Sequence, residues 1–174
     1  MSKGVKRLSI RLAIGNDRPG GRGTNAQEYL SGRVGSLLNA PLLATLATNY
    51  PDGTTLLSPV WFEWSDGGFT IVWDDDPKAR AIKRDPRVTV VVADPQLPCA
   101  GIEVRGEATI VPTDPDLAVH RRMAVRYIGP QRGNAYIDGY DPATQLTLRI
   151  VPGRLRTWDF DDEAPFSPTA AEFQ

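Results

Sequence analysis

Turn-forming residues cut this chain into short pieces from Pro41 onward, and that punctuation limits its fold more than any other feature. The 16 glycines and 15 prolines gather at Tyr50-Pro51-Asp52-Gly53, Ser65-Asp66-Gly67-Gly68, Asp76-Pro77, Asp85-Pro86 and Asp114-Pro115, among other places. Long helices are excluded, since an interior proline removes a hydrogen bond and clashes with the turn before it. Between the turns lie apolar segments of strand length: Leu42–Thr48, Ser58–Trp64, Phe69–Trp73, Val88–Ala93, Ile102–Val111, Leu146–Val151 and Arg154–Phe160. Within Ser58–Trp64, Val60, Phe62 and Trp64 fall on one face and Trp61 and Glu63 on the other. The first three segments, joined by short turns, read as an antiparallel meander. Pro59 has no N–H to give a ladder, so it belongs at a strand start, an edge or a bulge, and Gly106 marks an irregularity in its strand.

Helices are few. Thr24 and Gln27 have capping-box spacing ahead of Leu30, Val34, Leu37 and Leu38, and Pro41 ends that run. Asp76-Pro77 starts a helix from Lys78 to Arg84 that Asp85-Pro86 stops, because aspartate caps free N–H groups and proline suits the first helical position. Asp114-Pro115 opens a third helix with Leu117, Ala124 and Ile128 on one face. Gly129–Tyr140 reads as a glycine-rich loop bearing tyrosines. Six or seven short antiparallel strands with about three helices predict a mainly β (α+β) domain in which the sheet closes into a small barrel and removes its exposed edges. The run GNDRPGGRG at 15–23 reads as a linker, which divides the chain into a basic extension (1–25), the barrel domain (26–160) and an acidic tail (161–174).

The chain has one histidine, His120, and one cysteine, Cys99, in 174 residues. An internal disulfide framework and any metal site needing two imidazoles are excluded, so no metal is expected. An enzyme so poor in these residues leaves its chemistry to a cofactor. A formal net charge of -1 argues against a nucleic-acid partner. No run of about 18 apolar residues predicts a membrane span. Leu8–Ile14, interrupted by Ser9 and Arg11, does not read as a signal peptide, so a cytoplasmic protein is expected. His120, beside Arg121 and Arg122, reads as a helix-surface histidine, and Cys99 as a packed thiol.

Two features carry functional content. Lys78 and Arg80 stand in a first helical turn, where the helix dipole disfavours cations; the placement fits an anion such as phosphate, or a solvated face neutralised by Asp74, Asp75 and Asp76. Trp61 and Trp73 lie on strands just ahead of that helix, open to a core reading or to contact with a planar cofactor. Tyr127, Tyr136 and Tyr140 are open to packing, to lining a substrate pocket or to donating a proton.

Pro59-Val60-Trp61-Phe62 with Trp64, Gly68-Phe69-Thr70, Lys78-Ala79-Arg80 and Arg84-Asp85-Pro86-Arg87-Val88 together resemble the flavin and deazaflavin split-barrel superfamily, the pyridoxamine 5'-phosphate oxidase-like group. The wording is most similar to its actinobacterial branch of reductases that use the deazaflavin coenzyme F420. The resemblance spans about Gln27 to Phe160 and implies a six-stranded antiparallel split barrel that forms a homodimer with cofactor sites between subunits. It implies that the backbone of Ser58, Pro59, Val60 and Trp61 meets the cofactor ring, the strand end near Trp73 its ribityl chain, and Lys78, Ala79 and Arg80 its phosphate. FMN-dependent oxidases carry an Arg-Lys pair at this helix start, a further arginine on the first cofactor strand and a glutamine before the Ile102 strand. Here those positions read Pro77-Lys78, Leu57 and Gly101. The resemblance therefore implies hydride transfer from reduced F420 to a small conjugated organic substrate. The alternatives are an FMN-dependent oxidoreductase or a non-catalytic flavin- or deazaflavin-binding protein.

Overall fold

In the computed structural model, residues 11–13, 30, 32–74 and 76–160 are described; the expected capping box at Thr24 and Gln27 and the acidic tail lie outside them. Among the described residues eight antiparallel strands form one sheet: β1 (Arg11–Ala13), β2 (Ala44–Asn49), β3 (Thr55–Val60), β4 (Glu63–Ser65), β5 (Gly68–Asp74), β6 (Arg87–Ala93), β7 (Ala100–Val111) and β8 (Gln145–Asp159). Among the described residues four α-helices accompany them: α1 (Gly32–Leu37), α2 (Pro77–Arg84), α3 (Ala118–Ile128) and α4 (Pro130–Ile137). The strand order is β3-β2-β6-β7-β8-β5-β4, with β1 paired to the far part of β8. The two ends of that path, β3 and β4, are consecutive in sequence and separated only by Trp61 and Phe62. A sheet whose edges are two residues apart has to curl round on itself, and because β3 and β4 pair with β2 and β5 and not with each other, the barrel is split along that seam.

Alternation drives the curl. Ala44, Leu46 and Thr48 on β2 and Val88, Val90 and Val92 on β6 are buried, while Thr45 and Arg87 are exposed, so one face of each strand is apolar and turns inward. The interior is filled by Phe62, Phe69, Ile71, Ile102, Leu148 and Ile150, each no more than 1% exposed. Phe62 and Phe69 meet edge to face at 5.3 Å, and Trp64 meets Phe69 at 4.8 Å. Outside the barrel, Arg33 of α1 ties together Asp94, Asp159 and the Pro98 carbonyl at the ends of β6, β7 and β8.

The count of eight differs from the six or seven expected for identifiable reasons. Ser58–Trp64 is two strands, because the chain changes partner at Trp61-Phe62. The inward pattern of Val60, Phe62 and Trp64 runs straight through the change and conceals it. Conversely, Pro152-Gly153 does not end a strand. Arg105 pairs with Arg154 and Gly106 with Pro152, so Gly153 is absorbed as a bulge in a continuous 15-residue β8. The irregularity expected at Gly106 is this bulge seen from β7. Pro59 sits on β3, an end strand of the path, as its missing N–H requires. Arg11–Ala13 pairs with the chain's own β8 at Leu155–Thr157. Among the described residues, no helix is long and apolar enough to cross a membrane.

Replacing Phe62 by alanine empties the core at the seam itself. The expected loss is about 3–5 kcal/mol of unfolding free energy, and urea denaturation checks it; a loss under about 1 kcal/mol would mean the seam is not part of the core.

Candidate functional site

The ends of β3 and β5, the first turn of α2 and the α3–α4 hairpin converge on a cavity of about 280 Å³. Part of the lining comes from the barrel. Pro59, Val60 and Trp61 line it along the end of β3, whose backbone pairs with β2 on one side only among the described residues. Trp73, packed against the barrel core, and Lys78, whose ammonium lies 5.9 Å from the Trp73 ring centre, line it as well. The rest of the lining is Val72, Asp74 and Gln145 of the sheet and His120, Tyr136 and Tyr140 of the hairpin.

The hairpin is held in place by specific bonds. The Tyr127 hydroxyl donates to the Leu42 carbonyl at 2.7 Å and accepts from the Phe62 N–H at 3.2 Å, pinning α3 over the seam. Arg122 makes two 2.9 Å bonds to Glu63 of β4, and Arg126 donates to the Leu38 and Ala40 carbonyls. The Asp114 carboxylate accepts from the Ala118 N–H at 3.1 Å, so α3 begins four residues after the aspartate that starts it. The expected loop at Gly129–Tyr140 is largely α4. Pro130 directly after Gly129 was the available signal, since proline fits a first helical position. Gly133 lets α4 rest on α3, for a Cβ there would lie 2.5 Å from the Val125 nitrogen.

That close packing changes the reading of His120. It is 5% exposed, not a surface residue, and it meets Tyr140 at 5.2 Å and Tyr136 at 6.1 Å, both edge to face. Trp61 stacks on Tyr127 at 5.1 Å and meets Tyr136 edge-on at 5.8 Å. Tyr136 and Tyr140 share a 2.5 Å hydroxyl bond. That bond, then burial, pushes the Tyr140 hydroxyl up to about 12, so it keeps its proton at neutral pH. Burial lowers the His120 pKa against an opposing pull from Asp74, which favours the neutral imidazole.

At α2 the expectation of free amides needs correction. Asp76 Oδ1 accepts from the N–H groups of Lys78 (2.8 Å) and Ala79 (3.3 Å), Pro77 has none, and the Arg80 N–H reaches the Asp76 carbonyl. Any anion here is left to side chains. Asp76 also ion-pairs with Lys78.

Of the residues singled out from sequence, Pro59, Val60, Trp61, Trp73 and Lys78 meet at the cavity. Ser58 and Ala79 are buried beside it without lining it, and Arg80 is exposed on the outer side of α2. Val72, Asp74 and Gln145 were not anticipated as wall residues. Gln145 reaches Asp74 with a 2.5 Å bond across 71 residues of sequence, a partnership no local pattern announces. Three of the six buried side-chain polar atoms without partners among the described residues, Trp73 Nε1, His120 Nδ1 and Gln145 Oε1, belong to residues that line this cavity. Each such atom costs about 1–3 kcal/mol in isolation, so stability is given up around the cavity. Two departures from the oxidase pattern also have a physical basis. Leu57 points outward, 63% exposed, and a Cβ at Gly101 would lie 2.1 Å from the Trp158 ring, whose indole fills the space a glutamine would need.

A split antiparallel barrel with an aromatic cavity at the end of its seam strand and a cationic helix start beside it has the form of the flavin-binding split barrels. Residues 30–159 match the family model described as pyridoxamine 5'-phosphate oxidase, and the chain belongs to that family. Among solved structures it is similar to an F420 reductase at 32% identity and TM-score 0.61, covering 72% of this chain and 97% of the other. It is also similar to the conserved hypothetical protein Rv2991 from Mycobacterium tuberculosis, at 25% identity and TM-score 0.63 over 85% and 92% of the two chains. HutZ, the heme storage protein from Vibrio cholerae, shares the fold at 16% identity and TM-score 0.56 over 71% and 89% of the two chains. A search of curated proteins finds no match.

His120 is the only histidine, so it can be read through pH. Its folded pKa lies below the ordinary 6.5, so the unfolded chain takes up this proton first. Its contribution is constant above about pH 6.5 and turns destabilising as the pH falls from there through the folded value. Urea unfolding of the wild type and His120→Gln at pH 7.5 and 5.5 should show the gap between them shifting in favour of the variant at pH 5.5. An unchanged gap would mean the imidazole titrates as if in water.

Proposed function

We propose that this protein is an oxidoreductase that uses reduced coenzyme F420 to reduce a small conjugated organic substrate. What supports the reading is that one cavity joins the half-paired end of β3, at Pro59, Val60 and Trp61, to Trp73 and Lys78. These are the segments that the family resemblance assigns to a cofactor's ring and to its chain and phosphate. The 32% identity to an F420 reductase favours the deazaflavin over FMN, and so does the space closed by Trp158 at Gly101.

The residues present suit such a group. Aromatic surface at Trp61 and Trp73 lines the cavity, and Lys78 offers a positive charge beside Trp73. Bound, the reduced deazaflavin supplies the hydride. The chain's part is to fix geometry, since hydride transfer depends first on approach and alignment. The end of β3 provides a straight backbone edge for orientation, the seam holding Trp61 is rigid because Tyr127 and Phe62 anchor it, and the α3–α4 hairpin covers the cavity and limits water. Lys78 holds the anionic end, exchanging Asp76 for it. No metal ligand or side-chain nucleophile is called for. Two copies of the chain associate with the cofactor sites between them, and the outward Leu43 and Leu57, 54% and 63% exposed, offer apolar surface for that contact.

The test is a fluorescence or absorbance titration of purified protein with F420 and, separately, FMN. Micromolar or tighter F420 binding is expected. Lys78→Ala should weaken it about tenfold or more, as loss of a charge-assisted contact of 1.5–3 kcal/mol implies, while Arg80→Ala has the smaller effect. Binding of FMN alone would transfer the reading to a flavin enzyme, and binding of neither would end it.

A further inference from the structure

Tyr136 and Tyr140 both line the cavity, their ring centres lie 4.9 Å apart, and their hydroxyls share a 2.5 Å bond. A bond between two hydroxyls uses one O–H as donor and leaves the other O–H free to donate elsewhere. This bond raises the Tyr140 pKa, as it does for a hydroxyl that gives its proton to a neighbour, so Tyr140 is the donor and Tyr136 keeps a proton to give. Tyr136 is also the open member of the pair, at 42% exposure, and the one that meets Trp61, edge to ring at 5.8 Å, beside the end of β3. The other polar groups of the lining are less able to supply a proton. The Lys78 ammonium is paired with Asp76, the Gln145 amide gives to Asp74 and Thr144, and burial holds His120 neutral. Asp74 also opposes negative charge at Tyr140, which suits a neutral substrate over an anionic one.

We propose that Tyr136 is a catalytic residue that holds the carbonyl oxygen of a neutral conjugated ketone through its free O–H and delivers the proton that completes the reduction, with Tyr140 as its positioning residue. This rests on the reading of the protein as a reductase, and it names the substrate class as α,β-unsaturated ketones. Hydride from the reduced deazaflavin, which is left oxidised, forms a C–H bond at the carbon β to the carbonyl. The C=C pair shifts toward the carbonyl carbon, the C=O pair moves onto oxygen, and the Tyr136 O–H bond breaks to give that oxygen its proton. The Tyr140 O–H steadies the tyrosinate until water, which reaches the exposed Tyr136, returns the proton. The enol released then reverts to the saturated ketone.

Difference infrared spectroscopy of chromone, a flat conjugated ketone, bound to the full chain without cofactor reads the hydrogen bond directly. The carbonyl band should lie below its position in dry hydrocarbon solvent, since a donated hydrogen bond weakens the C=O bond. Tyr136→Phe should return the band to the hydrocarbon position. Tyr140→Phe, which removes only the polarisation of the donor, should leave it between the two, a change that lost packing alone does not produce. In the F420-loaded protein, Tyr136→Phe should lower kcat for chromone reduction about hundredfold, as loss of a general acid implies, with a far smaller effect on KM. Failure of chromone to bind, an unshifted band in the wild type, a shift that survives Tyr136→Phe, a loaded wild type that does not reduce chromone, or an unchanged kcat overturns the proposal, and the first two need no variant to fold. If F420 binds and the band is unshifted, the role of Tyr136 falls and the cofactor reading stands. If F420 fails to bind and the shift depends on Tyr136, the cofactor reading falls, and the proton step with it, while the carbonyl contact remains.

Discussion

Trp61 and Phe62 are all the chain available between the two edges of the sheet, and the rest of the molecule is arranged around that shortage. Once the Val60 end of β3 and the Glu63 end of β4 must lie two residues apart, the intervening strands have to curl, and their apolar faces have to point to the inside of the curve. Phe62 goes into the interior and Trp61 away from it, as neighbouring residues of an extended chain must. A single dipeptide therefore anchors the barrel core on one side and presents an aromatic surface to the cavity on the other. Fold and site share this piece of backbone, so they cannot be altered independently there.

The second dependence is on the helical hairpin. Without α3, the Phe62 N–H would lose the hydroxyl that satisfies it, and the seam would be left as open edge. Without α4 resting on α3 through Gly133, His120 would face water as an ordinary titrating imidazole. The hairpin is thus a structural closure of the split in the barrel as well as a wall of the cavity. The cavity falls where two packed clusters meet, the barrel interior and the smaller group of Leu117, Ala124 and Ile137. Such junctions are places where polar atoms are left over from both sides, and Trp73, His120 and Gln145 show this.

Local signals in the sequence made much of this legible, and contacts between distant residues made up the remainder. Turn residues and alternation placed the strands, Asp76-Pro77 placed α2, and Pro59 announced an edge. Pattern could not reveal that the chain changes partner at Trp61-Phe62, because the inward period continues across it. Nor could it show that Pro152-Gly153 is accommodated as a bulge, since that depends on Gly106 opposite. At the site, Lys78 and the tryptophans were visible as unusual residues in unusual positions. Gln145 was invisible because a lone glutamine at a strand start has no signature until Asp74 is set beside it, and His120 was misplaced because a helix hidden in a glycine-rich stretch covers it.

The cap at α2 has a consequence for how charge is recognised at the rim. Asp76 already holds the Lys78 and Ala79 amides and the Lys78 ammonium, so the cationic corner carries a tethered anion of its own. An arriving anion does not fill a vacancy; it has to outcompete a partner whose effective concentration is set by two residues of chain. A group with several charged oxygens would bring more than one charge-assisted bond to that exchange, a single-oxygen ion only one. Asp76 thus stands as a built-in competitor to any anion that approaches Lys78.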